Sequence, residues 1–383
     1  MMNKLNTSKS ILLLMIGLLT NGVLLGQTLD LPRNSLNQKA SVNQWIGLVE
    51  INVTYYSPNV THPRSGEDRT GKIWGEVVPY GFKYWMFADK VIPWRAGAEE
   101  NTIFSVSHDV KIEGQDLPAG EYGLFMAPGK EEWTIIFSSN SNSWGPLYYD
   151  EKEDVLRVTV KPAKTEFTQF LTYNFIERKS DNATIALKWE HMMVPIKIEV
   201  PNINEIYIDK IRSDLRNAAG FEYYNWVDAV NFCLSKDINL EEALTWADYA
   251  INREWFGTKN YATLSAKASV LEKLGREEEA KKLKKEAIKM ATTKEVYQEG
   301  MQLISLDKNK EALELFKFNA NKFPKETFRV NIGLAKGFKA TGNKKKSIKH
   351  WEIALKNMPK TIDYQYYLPR LEKELEELKA SSD

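Results

Sequence analysis

The sequence predicts two parts of different fold class, an antiparallel β-sandwich or barrel followed by a solenoid of paired helices. The first observation is a change of hydrophobic period near residue 205, from two residues to a helical repeat. The second is a longer period of roughly 34 residues that begins only after this point. The third is an apolar leader at the N-terminus. We therefore expect a leader at 1–26, a β domain at 35–200 and a helical domain at 205–380.

Strands are indicated in the first half by apolar residues at every second position, because alternate side chains of a strand point to opposite faces. Such runs occupy residues 49–55, 156–160, 185–189 and 194–200. Shorter runs at 102–107, 122–126 and 133–137 follow the same pattern, and turn sequences such as Leu-Pro-Ala-Gly at 117–120 separate them. Many short strands joined by close turns favour an antiparallel sandwich or barrel.

One longer strand is predicted at 167–176. Leu171 and Tyr173 share one of its faces, whereas Phe170 and Ile176 lie on the opposite face. Because large apolar residues stand on both faces, we expect this strand to be covered on both sides.

Small residues recur at matched positions of the second half. One set is Ala243, Ala280, Ala312 and Ser347, and the set seven residues later is Ala250, Ala287, Asn319 and Ala354. Small side chains at such positions allow two antiparallel helices to approach closely. This pattern resembles the tetratricopeptide repeat.

The resemblance to tetratricopeptide repeats implies three to four degenerate repeats over about 212–358, followed by a charged closing helix at 364–379. Pro324 and Pro359 fall where that family ends its second helix. Gly300 falls where the family has a close contact on its first helix, and the equivalent residues of the other repeats are Asn231, Ala268 and Ala335.

The first half resembles a secreted, Bacteroidetes-type family known only as a domain of unknown function. Eight segments in order carry the resemblance over about 35–200. They are Tyr-Ser-Pro at 56–58, Gly75 with Val-Pro-Tyr-Gly at 78–81, Trp-Arg-Ala-Gly-Ala at 94–98, Leu-Pro-Ala-Gly-Glu-Tyr at 117–122, Trp-Thr at 133–134, Trp-Gly at 144–145, Tyr-Asp at 149–150 and Asp-Val-Leu-Arg at 154–157. This chain departs from the family by an insertion at 82–93 and by Glu99 in place of asparagine. The resemblance implies a domain boundary and an exported location, and it implies no activity.

The leader has the features of a secretory signal peptide. Lys4 and Lys9 precede an apolar run at 11–19, and Gly26 stands before Gln27. A retained membrane anchor is the alternative, but the apolar run is shorter than the roughly 20 residues that a spanning helix needs. We expect a periplasmic or secreted mature protein with no membrane span after cleavage.

The charge and the cysteine content of the chain bear on nucleic-acid binding and on disulfide formation. The formal net charge is +1, so electrostatics gives no reason to expect nucleic acid as a partner. Cys233 is the single cysteine of the chain, and an intramolecular disulfide is therefore excluded. Its apolar helical surroundings predict a buried structural thiol rather than a reactive one.

The turn at 94–97 is the first candidate binding site. Arg95 beside Trp94 can present a planar, charged fork backed by an aromatic face, which suits a carboxylate, a phosphate or a sugar. We expect Glu99, Asn101 and Thr102 to be neighbours of this site. The alternative is that Arg95 ties two loops together through backbone carbonyls and that Trp94 belongs to the core.

Aromatic residues also crowd between residues 74 and 149, and exposed aromatic faces can stack on sugar rings. Most of them are expected in the core. Trp85 and Trp144 are the best exceptions because both lie in polar or inserted loop sequence.

No catalytic, metal or cofactor site is predicted. The chain has no Gly-x-Ser-x-Gly or His-Glu-x-x-His motif, and its four histidines have no ligand spacing. The sequence thus favours an exported, non-enzymatic binding or scaffold protein, whose repeats hold a protein partner and whose β domain holds a small ligand that is glycan-like or anionic. The alternative is a carbohydrate-active or other envelope hydrolase that uses two of Glu99, Glu100, Asp150 and Asp154.

Overall fold

A computed structural model describes residues 37–86 and 89–380, and the chain divides after Ile203 into two compact units. The predicted signal peptide at 1–26 lies outside the described residues, as does Phe87 of the insertion. Among the helices of the described part, none combines the length and apolar character needed to cross a membrane.

The N-terminal unit consists of antiparallel sheets. Its strands in the described residues are β1 (Gln38–Ile46), β2 (Val49–Ser57), β3 (Lys83–Trp85), β4 (Lys90–Ile92), β5 (Thr102–Val106), β6 (Val110–Ile112), β7 (Gln115–Leu117), β8 (Gly120–Ala127), β9 (Trp133–Ser138), β10 (Asp154–Val160), β11 (Ala163–Arg178) and β12 (Asn182–Glu199). One sheet has the order β1-β2-β5-β8-β9-β10, a second has the order β11-β12-β6-β7, and β3 and β4 form a separate hairpin.

The two larger sheets enclose the core that the alternation predicted. The apolar positions of β2, Val49, Ile51, Val53 and Tyr55, are all buried. The rings of Tyr55 on β2 and Tyr173 on β11 lie 4.8 Å apart, so the two sheets pack on each other through these faces. The unit is therefore a sandwich.

Strand β12 joins two runs that the sequence pattern separates. The first run buries Ile185 and Trp189 at odd positions, and the second buries Val194 and Ile196 at even positions. Glu190 lies between them with a φ of 54°, in the left-handed region. One residue in this conformation shifts the alternation by one, and both runs thereby face the same core.

The expectation that β11 is covered on both sides is wrong. Leu171 and Tyr173 are buried, but Phe170 is 51% exposed and Ile176 is 38% exposed. The reason is that the sheet of β11 packs on the other sheet with a single face, which leaves the opposite face of β11 open.

The C-terminal unit is helical throughout its described residues. Its α-helices are α1 (Ile203–Asp214), α2 (Tyr223–Lys236), α3 (Leu240–Asn252), α4 (Tyr261–Lys273), α5 (Glu277–Met290), α6 (Thr293–Ser305), α7 (Asn309–Lys322), α8 (Arg329–Ala340), α9 (Lys344–Lys356) and α10 (Ile362–Ala380). Helix α2 packs on α3, α4 on α5, α6 on α7, α8 on α9, and α10 on α9, which gives a solenoid-like stack of helix pairs.

The predicted small positions lie where the paired helices meet. All eight residues of the two sets are buried. Asn319 stands where the other repeats have alanine, and its Nδ2 donates to the Thr293 carbonyl at 3.1 Å. The repeat alignment is wrong at Asn231, which is exposed, because its neighbour Val230 takes the buried position.

Cys233 is a structural residue of the α2 core. Its side chain is fully buried, and desolvation raises the pKa of the thiol to about 11. The thiol therefore stays protonated near neutral pH and is a poor nucleophile.

Candidate functional site

The loop that carries the first candidate residues is anchored at both ends. Trp94 exchanges two backbone hydrogen bonds with Met126 of β8, each of 2.8 Å. The carbonyl of Ala96 accepts hydrogen bonds from the hydroxyls of Thr102, at 3.2 Å, and Tyr173, at 2.8 Å. Both donors are buried, so the loop is held on the core of the sandwich.

Trp94 belongs to a cluster of four indoles. Its ring stacks on Trp189 at 6.4 Å and meets Trp74 and Trp133 edge to face at 5.8 and 6.4 Å. Its Nε1 donates to the Gly97 carbonyl at 3.0 Å. This geometry favours a core role for Trp94 over a ligand-binding role.

The guanidinium of Arg95 is enclosed by its own unit. Nη1 donates to the carbonyl of Glu99, and the guanidinium lies 5.4 Å from the centre of the Trp144 ring. A Cβ atom at Gly145 would lie 2.6 Å from Nη1, so the backbone of Gly145 lies directly against the guanidinium group. Burial lowers the pKa of the Arg95 guanidinium, although arginine stays charged in proteins. These contacts favour the interpretation that Arg95 ties two loops together.

The other predicted site residues lie in different surroundings. Glu99 accepts a hydrogen bond from Asn37 Nδ2 at 2.7 Å, and Thr102 is fully buried. Trp144 is 51% exposed, whereas Trp85 lies half-buried in the β3–β4 hairpin. The structure thus brings Arg95, Glu99 and Trp144 into one contact group.

The carboxylates considered for hydrolysis have structural partners. Asp154 accepts hydrogen bonds from Tyr149, at 2.7 Å, and from Arg157, at 2.6 Å. Asp150 accepts from the backbone N–H of Lys152, and Glu100 pairs with Lys39 at 3.8 Å. Within residues 37–86 and 89–380, no group of three or more His, Cys, Asp or Glu side chains could hold a metal ion.

A cleft of about 280 Å³ with both polar and apolar lining residues lies beside this contact group, and we call it the Asn101 cleft. The residues that define it here are Lys39, Tyr56, Glu100, Asn101, Ser143 and Trp144. They come from β1, β2, the loop before β5 and the loop after β9. Among them, sequence reasoning selected Trp144 as a ligand contact, considered Asn101 as a neighbour of Arg95 and considered Glu100 as a carboxylate for hydrolysis. It did not bring the six residues together, because they lie far apart in the chain.

The helical unit has a second concavity, of about 310 Å³, which we call the first-helix groove. The residues that define it here are Tyr297 on α6, Arg329 and Lys336 on α8, and Tyr367, Arg370 and Glu374 on α10. Helices α6 and α8 are the first helices of their pairs. Sequence reasoning predicted a protein-binding face on the repeats but did not identify these residues.

The charges of the first-helix groove are only partly balanced. Lys336 Nζ donates to Glu374 at 3.0 Å, and Arg370 lies 3.6 Å from the same carboxylate. Arg329 donates to the Tyr364 hydroxyl at 3.1 Å. Among the described side chains of this lining, three cations thus face one carboxylate. Tyr297 is half-buried in the lining, and burial raises the pKa of its hydroxyl.

Comparison with protein families assigns the N-terminal unit. Residues 37–198 match the family described as a protein of unknown function, DUF2911. We call the N-terminal unit the DUF2911 domain after this match. This match confirms the resemblance predicted from the eight sequence segments. A comparison with curated proteins gives no match.

Several solved structures are similar to part of this chain. A tetratricopeptide repeat protein from Parabacteroides merdae ATCC 43184 is 20% identical with a TM-score of 0.29, and the match covers 46% of this chain and 66% of that one. MamA (41-end) from Desulfovibrio magneticus RS-1 is 19% identical with a TM-score of 0.26, and the match covers 42% of this chain and 97% of that one. The paired helices of the C-terminal unit, with buried small residues where they meet, have the tetratricopeptide-like arrangement that the sequence predicts.

Proposed function

We propose that this protein is a non-enzymatic scaffold whose helical unit holds a segment of a partner protein in the first-helix groove. The observation that carries the proposal is the lining of this groove, in which tyrosines and arginines surround the buried side chains of Phe328 and Ile332. Tyrosine and arginine are enriched in protein interfaces, where they supply a large part of the binding energy.

The excess positive charge indicates the chemistry of the partner. Lys336 and Arg370 share the carboxylate of Glu374, and Arg329 has a neutral phenol as its partner. An acidic side chain or a chain-terminal carboxylate of a bound peptide would complete the charge balance of the groove. Tyr367, which lines the groove, is 53% exposed, and its neighbour Tyr366 is 81% exposed and adds further contact surface. We therefore propose an acidic peptide segment as the occupant.

The test is selection of peptides from a displayed random library on the full chain. We expect enrichment of sequences rich in Asp and Glu, with affinities that weaken as salt is raised because exposed charges are screened. Replacing Tyr367 by alanine should weaken the binding of an enriched peptide roughly tenfold, as measured by fluorescence anisotropy.

Tyr224→Ala is the matched control for this experiment. Tyr224 is 51% exposed and lies on α2, whose residues do not line the first-helix groove. Its replacement should leave peptide affinity unchanged. Equal effects of the two tyrosine substitutions, or a library that yields no acidic peptides, would contradict the proposal.

We also propose that the chain is exported and acts in the periplasm or outside the cell. The support is the basic and apolar pattern of the leader, with Gly26 before Gln27. Expression of the full chain in a Gram-negative host should give a mature protein that begins at or near Gln27, as N-terminal sequencing would show. Recovery of the uncleaved chain from the cytosol would contradict export.

A further inference from the structure

We propose that the Asn101 cleft of the DUF2911 domain binds a neutral sugar ring, with Asn101 as the hydrogen-bond acceptor and Trp144 as the stacking platform. This inference goes beyond the scaffold function, because it concerns a different unit and a different class of ligand. It also replaces the turn at 94–97 as the ligand site of the β domain.

The first argument is an unpaired acceptor. Asn101 is 4% exposed, and its Oδ1 is buried without a hydrogen-bond partner in the protein. An unmade hydrogen bond of a buried polar group is costly, and such groups are rare in folded proteins. Asn101 lines the cleft, so a donor of a bound molecule would satisfy this atom once neighbouring side chains of the lining move aside.

The orientation of the Asn101 amide is fixed by its other contacts. Nδ2 lies 2.7 Å from Ser143 Oγ and 3.5 Å from the carbonyl of Asn140. A carbonyl oxygen can only accept, so the group that faces it must be the NH2. A flip of the amide would place Oδ1 against that carbonyl, and Oδ1 is therefore the atom left to accept from a ligand.

The second argument is that the ring of Trp144 is exposed and held in place by Arg95. This side chain is 51% exposed, while the Arg95 guanidinium lies 5.4 Å from the ring centre and contributes a cation–π contact. Arg95 is itself held by the carbonyl of Glu99 and by the backbone of Gly145. An exposed ring that is braced in this way is a rigid surface for stacking. Arg95 thus acts as a positioning residue for Trp144.

The third argument is the charge and size of the cleft. Lys39 and Glu100 are the charged residues of its lining, and they pair with each other at 3.8 Å. The cleft therefore has no net charge to attract an ion. The remaining polar groups are amides and hydroxyls, which exchange hydrogen bonds with the hydroxyls of a sugar. The volume of about 280 Å³ suits a single small ring.

The experiment measures binding of neutral monosaccharides and disaccharides to the full chain by saturation-transfer NMR and by tryptophan fluorescence. Free amino acids serve as the competing class of ligand. We expect at least one sugar to bind, whereas the amino acids do not. Trp144→Ala should weaken sugar binding roughly tenfold, and Asn101→Leu should weaken it by a similar factor because the acceptor is lost.

Trp45→Ala is the matched control, since Trp45 is 54% exposed and is not part of the cleft lining. It should bind the sugar as the unchanged protein does. Thermal melting of each variant separates loss of binding from loss of folding, and Trp144→Phe should restore part of the affinity if a flat ring is what the ligand needs. The proposal is overturned if no sugar binds, if amino acids bind instead, or if Trp144→Ala and Trp45→Ala behave alike.

Discussion

Replacement of Phe316 by alanine is expected to lower the free energy of unfolding of the helical unit by about 3–5 kcal/mol. Phe316 on α7 is fully buried, and its ring contacts three glycines. A Cβ built on Gly300, Gly333 or Gly337 would lie 2.4, 2.6 or 2.8 Å from this ring. The ring therefore fills a socket shaped by the absence of side chains on α6 and α8, and alanine would leave a cavity there. Urea denaturation followed by far-ultraviolet circular dichroism measures the change.

Phe318→Ala is the control for this substitution. Phe318 lies on the same helix, but 36% of its surface is exposed, and its removal should cost below about 1 kcal/mol. Gly333→Ala should also destabilise the unit, because the added methyl group overlaps the Phe316 ring. A decrease in the free energy of unfolding below about 1 kcal/mol for Phe316→Ala would contradict the claim that this ring fills the space beside the three glycines.

Replacement of Trp133 by alanine is expected to destabilise the β-sandwich by a similar amount, about 3–5 kcal/mol. Trp133 on β9 is fully buried, and its ring lies 4.9 Å from that of Trp74. Trp74 in turn meets Trp189 of β12 at 5.8 Å, so the indole cluster links one sheet to the other. Removal of one ring would open a large cavity between the sheets.

Trp133→Phe separates the packing of this ring from its polarity. The Nε1 of Trp133 is buried without a hydrogen-bond partner, so phenylalanine removes an unpaired N–H and retains an aromatic ring. Phenylalanine should therefore cost less than half as much as alanine. Chemical denaturation followed by intrinsic fluorescence gives both values, with the exposed Trp45→Ala as reference. Equal losses for alanine and phenylalanine would contradict a role in packing.

Those parts of the fold whose residues alternate between a buried face and an open face were predictable from the sequence. Strands β2 and β10 have this property. The small positions where paired helices meet were predictable for a different reason, because they recur with the period of the repeat. The continuity of β12 was not predictable, because it depends on the left-handed conformation of Glu190. The exposure of Phe170 was missed because the pattern shows which residues share a face, and it does not show whether another layer covers that face.

The candidate site was less predictable than the fold. Arg95 and Trp144 were both selected from the sequence, but their contact depends on a loop some fifty residues further along the chain. Asn101 was considered only as a neighbour of Arg95, since an unpaired acceptor becomes visible when its surroundings are known. The first-helix groove likewise combines residues of α6, α8 and α10, whose side chains are unremarkable when taken singly.

Hydrogen–deuterium exchange of the full chain, with and without an acidic peptide selected on it, tests the scaffold function most directly. The peptide should slow exchange of backbone amides in α6, α8 and α10, which line the first-helix groove. Helices α2 and α3 and the DUF2911 domain should exchange at unchanged rates. Protection confined to the DUF2911 domain, or no protection in the three groove helices, would contradict the account.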